Sequence, residues 1–195
     1  HSNDLSGELP DFMANPGDQW FELKYNRLYA SNAAALSAME IQHHGKFLST
    51  QTLAPKNVDA VTVETSGSPE NRVEVSWNKI GYLEDPGGYQ VHYRKEGDSE
   101  YTFGGMTPDK DTASWIVSGL EPGAEYEFMV KSVTWNHGWN GNTLYSEESS
   151  PVSAAAGTLN RAFIPVWKQS PEYFTGVVIR SEERRVGKEC RSRWS

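Results

Sequence analysis

The middle of the chain is written in short runs of strict apolar–polar alternation, and that pattern leaves few folds open. From Asn71 to Trp77, Val73, Val75 and Trp77 share one face, with Glu74 and Ser76 on the other. From Gly88 to Arg94 the apolar set is Tyr89, Val91 and Tyr93, and Tyr126, Phe128 and Val130 repeat it. A period of two places alternate side chains on opposite faces of a strand, so these runs predict antiparallel strands with one buried face. Trp115 and Val117 mark a further strand, as do Tyr101-Thr102-Phe103 and the small-residue stretch from Ser146 to Ala155. Alternation fails at Ala60-Val61, yet Val58, Val61 and Val63 suit a first edge strand behind Pro55. That makes about seven strands separated by turn residues, which is mainly β. Cys190 is the only cysteine, so no disulfide can join the two sheets of such a sandwich.

Two constellations specify the sandwich further. Trp77 lies in an early strand, placed to fill the centre between sheets. Leu120, Pro122 and Tyr126 stand in the L-x-P-x-x-x-Y order of a tyrosine corner, whose phenol hydroxyl bonds back to upstream backbone. With Pro55, the Gly-Tyr-x-Val-x-Tyr strand and Ser149-x-Pro151-Val152-Ser153, residues 54–157 resemble a fibronectin type III domain, an immunoglobulin-like β-sandwich. The Asp85-Pro86-Gly87-Gly88-Tyr89 approach and the long loop before Tyr145 are similar to the module that follows leucine-rich repeats in bacterial surface proteins.

Residues 1–53 carry a second periodicity. Asn3-Asp4-Leu5-Ser6-Gly7-Glu8-Leu9-Pro10 resembles half of a leucine-rich repeat, and the next Asn-x-Leu, Asn26-Arg27-Leu28, follows 23 residues later. In that register Phe21 and Leu23 point inward, and Trp20, Glu22, Lys24 and Tyr25 form a row on the concave face. Asn26 is expected to be buried and hydrogen-bonded to the backbone where the chain leaves the strand. Ser31-Asn32 can cap a short helix of Ala33, Ala34, Ala35, Leu36, Ala38 and Met39. The stretch from Leu23 to Pro55 is similar to the C-terminal cap of such a solenoid. Fewer than two repeats are present, so further repeats are expected before His1. His43-His44 lacks partners at zinc spacing and reads as solvated loop, with no metal site.

The end of the chain differs again. Phe163 to Trp167 and Tyr173 to Ile179 read as strands, so residues 158–179 look like the start of a truncated β-domain. Residues 180–195, RSEERRVGKECRSRWS, resemble the in-frame translation of a common sequencing adapter, and are expected to be an artefact. The whole chain has 26 acidic and 18 basic residues, net −8; the first 179 residues keep 23 and 12, net −11. An excess of carboxylates argues against nucleic-acid partners, which require clustered Lys and Arg. There is no run long and apolar enough for a transmembrane segment.

Chemistry-bearing motifs are missing: no phosphate-binding loop, nucleophile elbow, zinc-protease helix or calcium loop is present, and no cofactor is implied. The chain therefore reads as non-enzymatic. Its surface candidates are the row Trp20, Glu22, Lys24 and Tyr25, together with the loop Thr134 to Thr143. Within that loop Trp135 is expected to end its strand in the core, while Trp139 either pins the loop or offers a stacking platform to a sugar or protein. The resemblance implies a secreted or cell-surface bacterial binding or adhesion protein, extracellular, with repeats for recognition of a protein or glycan ligand and the sandwich as spacer. The alternative is an accessory region of a secreted hydrolase whose catalytic domain lies elsewhere.

Overall fold

The computed structural model describes residues 3–63, 71–157, 161–162 and 179–180. His1–Gly157 forms one compact unit and Thr158–Ser195 a second. The first unit holds two apolar cores on either side of residue 53.

The larger core lies between two antiparallel sheets. One has the order β3 (Lys56–Val63), β4 (Arg72–Asn78), β7 (Ser114–Val117). The other runs β10 (Val152–Ala155), β8 (Glu125–Thr134), β5 (Gly87–Lys95), β6 (Thr102–Met106). The alternating residues do what their period dictates. Val73, Val75, Trp77, Tyr89, Val91, Tyr126, Phe128 and Val130 are all buried in one cluster, with Tyr93 and Trp115 packed at its margin. Trp77 sits centrally, its ring 5.1 Å from that of Tyr89. The Tyr126 hydroxyl accepts the Glu121 N–H at 3.0 Å, beside buried Leu120; Pro122 and Gly123 make the exposed turn, Gly123 with φ of 72°.

Two strands differ from expectation. In β3 the register shifts between Lys56 and Asp59, where Asn57 has a φ of 51°. Val58, Ala60 and Thr62 consequently turn toward the opposite sheet, and Val61 is left 56% exposed. The bulge exchanges faces, as a one-residue slip must. Of the expected last strand, Ser146 to Ala155, only β10 is a strand; β9 (Leu144–Tyr145) precedes it, and both border β8. Serines bridge the gap. The Ser146 and Ser149 hydroxyls accept the Ser132 and Val130 N–H groups at 2.9 and 3.1 Å, and the Ser146 and Ser149 N–H groups donate to the carbonyls of the same two residues. Small hydroxyl side chains thus continue a ladder that the backbone alone has left.

The smaller core gathers Leu9, Met13, Leu23, Leu28, Ala35, Met39 and Phe47. Here β1 (Ser6–Glu8) and β2 (Arg27–Tyr29) pair in parallel. Asn26 is fully buried, accepting from Leu5 N–H and donating to the Leu23 and Lys24 carbonyls, each at 3.0 Å. Gln51 repeats this role one layer on: its amide accepts Leu28 N–H at 3.0 Å and donates to the Leu23 carbonyl at 2.9 Å. Bonds spaced by 23 residues recur, joining Arg27 to Asp4, Gln42 to the Gln19 carbonyl and Leu28 to Gln51. α1 (Ala33–Gln42) begins where the Asn32 side chain accepts the Ala34 and Ala35 N–H groups, and buries Ala35 and Met39.

In the second unit, β11 (Arg161–Ala162) and β12 (Ile179–Arg180) pair antiparallel. The remaining expected strand residues of 158–179, and residues 181–195, lie outside the described residues.

Candidate functional site

The row predicted on residues 20–25 is held by α1. The Gln42 amide clamps its start on either side of Trp20, accepting Phe21 N–H at 3.3 Å and donating to the Gln19 carbonyl at 2.8 Å. Alternation along this extended segment sends Phe21 and Leu23 toward the core, and leaves Trp20 60% exposed with Glu22 and Lys24 half-buried. The Lys24 ammonium and Glu22 carboxylate stand 3.8 Å apart. Trp20 leans over His43 and His44, with ring centroids at 6.0 and 6.5 Å.

His43 corrects the expectation of a solvated loop. It is buried at the end of α1, stacked 5.7 Å from Phe47, because Phe47 closes the smaller core and Trp20 covers the imidazole from outside. Burial lowers its pKa, with Glu22 opposing; the Glu22 carboxylate lies 4.0 Å from Nδ1. A pair of adjacent histidines carries no sign in the sequence of which one folds inward.

Tyr25 also departs from a purely ligand-facing position. Its φ of 58° swings the side chain off the row and against the sandwich core. Its ring meets His137 edge-on at 5.1 Å and tilts on Tyr82 at 6.1 Å. Tyr82 is fully buried and donates its hydroxyl to Asp85; His137 Nε2 lies 3.0 Å from the same oxygen and Nδ1 3.3 Å from the Asp85 carboxylate. The phenol proton is committed to Asp85, so His137 must donate through Nε2. Burial raises the pKa of both Tyr25 and Tyr82, with the Asp85 charge adding to it. Four further bonds tie the same edge together. Asn140 donates to the Tyr25 carbonyl at 3.2 Å and Arg27 to the Tyr145 carbonyl at 3.1 Å. Ser132 donates to the Leu53 carbonyl at 2.7 Å, and the Thr52 and Thr134 hydroxyls are 2.8 Å apart.

The loop after β8 brings its two tryptophans to the surface. Trp139 is 66% exposed within a turn closed by two hydrogen bonds between His137 and Asn140. Trp135, expected in the core, is 37% exposed. Its N–H bonds the Pro86 carbonyl, and β8 has already ended at Thr134, whose inward side chain takes the last core position. The arrangement offers aromatic faces with carboxylate and ammonium groups beside them, suited to hydrogen-bonding and stacking. Sequence reasoning did not find Tyr82, Asp85, His137, Gln51 or Lys110. The Asp85-Pro86 approach and the loop Thr134 to Thr143, which holds His137, pointed toward that edge without naming these side chains.

Solved structures similar to the chain include a myokine (21% identity, over 55% of this chain and 99% of that one, TM-score 0.42). Others are domains FN1–FN3 of chicken CNTN1 (18%, 55% and 33%, TM-score 0.42) and the fn3 domain of human contactin 1 (14%, 57% and 83%, TM-score 0.43). The model of the fibronectin type III domain matches residues 54–152. With half of its length in that match and the sandwich between β3 and β10, the chain belongs to the fibronectin type III family.

Proposed function

We propose that this chain is a non-catalytic binding or adhesion piece of a secreted or cell-surface bacterial protein, its first 53 residues ending a leucine-rich-repeat solenoid and its sandwich serving as spacer. The recurrent 23-residue bonds and the buried Asn26 and Gln51 amides support the solenoid. The observation that carries the reading is the edge shared by the two cores. Tyr25, next to the recognition row, packs among Tyr82 and His137 of the sandwich, while Asn140, Arg27, Ser132 and Thr52 bond across. A spacer joined this way presents Trp20, Glu22 and Lys24 in a fixed direction, with Trp139 on the loop whose Asn140 bonds the Tyr25 carbonyl. The ligand is a protein or glycan.

Binding to a glycan array and to a panel of extracellular-matrix proteins tests the reading with the wild-type chain, Trp20→Ala and Trp139→Ala. Binding that Trp20→Ala abolishes is expected. Equal binding by the wild type and both variants would sink the proposed surface.

A further inference from the structure

The row of residues 20–25 rests on a buried imidazole. His43 follows α1, is 1% exposed and packs among rings, with Phe47 stacked at 5.7 Å and Trp20 tilted over it at 6.0 Å. Its backbone N–H is held by the Met39 carbonyl at 2.9 Å, which pins the residue to the helix end. Neither ring nitrogen has a hydrogen-bond partner among the described residues. A neutral imidazole leaves one N–H unpaired there, whereas an imidazolium brings a second N–H and a full charge. A proton on His43 therefore requires an acceptor that the neutral arrangement does not supply.

That acceptor stands close by. Glu22 Oε1 lies 4.0 Å from His43 Nδ1, is itself buried, and accepts no hydrogen bond among the described residues. The Lys24 ammonium is 3.8 Å from the same oxygen. One carboxylate oxygen thus stands between two nitrogens, a little beyond hydrogen-bond reach of each. Moving it by about 1 Å toward either one would complete a charge-assisted bond and lengthen its distance to the other.

The other charges around the imidazole leave Glu22 as its partner. Glu40 on α1 is committed, accepting the Phe47 and Leu48 N–H groups at 3.1 and 3.0 Å. His44 is exposed, with its ring 6.5 Å from that of Trp20. Burial is the largest influence on His43 and lowers its pKa; Glu22 and Glu40 act upward, and Lys24 and His44 downward. At neutral pH the imidazole is uncharged and the carboxylate is left to Lys24. In acid, the pinned and stacked histidine keeps its place and the half-buried Glu22 side chain is the part free to move.

We propose that His43 is a proton switch beneath the row: protonation draws Glu22 from Lys24 onto Nδ1, exchanging a Glu22–Lys24 pair for a Glu22–His43 pair and releasing the Lys24 ammonium. The row gains one positive charge, and Trp20 then covers an imidazolium in place of a neutral ring. The consequence for binding rests on reading residues 20–25 as the recognition row; the exchange itself does not.

The test uses the complete 195-residue chain and needs no ligand. NMR follows the His43 ring nitrogens and the fluorine signal of 5-fluorotryptophan at position 20, from about pH 8 to about pH 4.5. Both signals should titrate together, with a midpoint below 6.5. A strongly deshielded Nδ1 proton should appear in acid and be missing in Glu22→Gln. That variant should lower the midpoint, because the partner carboxylate is gone, and Lys24→Met should raise it, because the competing cation is gone. Both substitutions fall on half-buried side chains and spare the smaller core. His44→Gln should leave the Trp20 titration in place. A midpoint unmoved by Glu22→Gln, one lowered or unmoved by Lys24→Met, or a Trp20 titration abolished by His44→Gln would each overturn the switch. Binding lost in Trp20→Ala without any Trp20 titration would sink the switch and keep the row, whereas the full titration in a chain that binds nothing would keep the switch and sink the row.

Discussion

Replacing Asn26 by alanine should be among the most damaging single changes in the smaller core, and the structure gives the size. The side chain has no exposed surface and uses its whole amide in three bonds, each at 3.0 Å. A typical intramolecular hydrogen bond contributes about 1 kcal/mol net, and a buried group left unpaired costs about 1–3 kcal/mol. The three partners do not suffer equally. The Leu23 carbonyl keeps the Gln51 amide at 2.9 Å, so its loss is partial. The Lys24 carbonyl and Leu5 N–H are only partly buried, and water can reach them in the variant. The sum is about 2–4 kcal/mol, a large share of the 5–15 kcal/mol typical of a folded domain. Urea unfolding followed by far-ultraviolet circular dichroism measures it, with Asn26→Leu as control. Leucine refills the volume without restoring any bond, so it should cost as much as alanine or more. A midpoint within error of the wild type, or a rescue by leucine, would refute the hydrogen-bond account.

Three further outcomes are expected. Tyr126→Phe should cost about 1 kcal/mol in the same assay by releasing the Glu121 N–H, and an unchanged midpoint would count against the tyrosine corner. Because burial lowers the His43 pKa below 6.5, the unfolded chain takes up protons first as pH falls past that value; stability should drop toward pH 5, and His43→Phe should reduce the slope, His92 supplying some of the remainder. Lys110 acts at the other end: its folded pKa of about 8 lies below the unfolded 10.5, so the unfolded chain holds the extra proton and stability should rise, by ~2 kcal/mol, as pH climbs from 8 to 10. Lys110→Met should abolish that rise in chemical-denaturation curves.

The sandwich was legible because its signals are local and redundant. Each strand announces its buried face by period two, and the Leu120-Pro122-Tyr126 spacing places a hydroxyl over a particular backbone N–H. The failures share a cause too. Val61 came out because one bulge near Asn57, invisible in composition, reversed the faces of β3. Trp135 came out because β8 spends its last inward position on Thr134, whose hydroxyl meets Thr52 from the other core. His43 went in because Trp20, some twenty residues earlier, covers it. Each depends on a contact between distant segments, which no window of sequence contains.

The edge between the two cores is where that limit matters most, and its composition sets how it holds them. Covalently joined pieces already meet at high effective concentration, so little extra affinity is needed to keep them together. What the chain supplies is direction. Asn140, Arg27 and Ser132 each reach a single backbone carbonyl, and the Thr52–Thr134 pair fixes a fourth point. Hydrogen bonds are sensitive to distance and angle in a way that apolar burial is not. Tyr25, held at positive φ, fills the space between these points against Tyr82 and His137. An apolar interface of equal area would hold the two cores together yet allow them to slide. A polar rim around one aromatic wedge holds a single orientation, and orientation is what the proposed recognition row requires from its support.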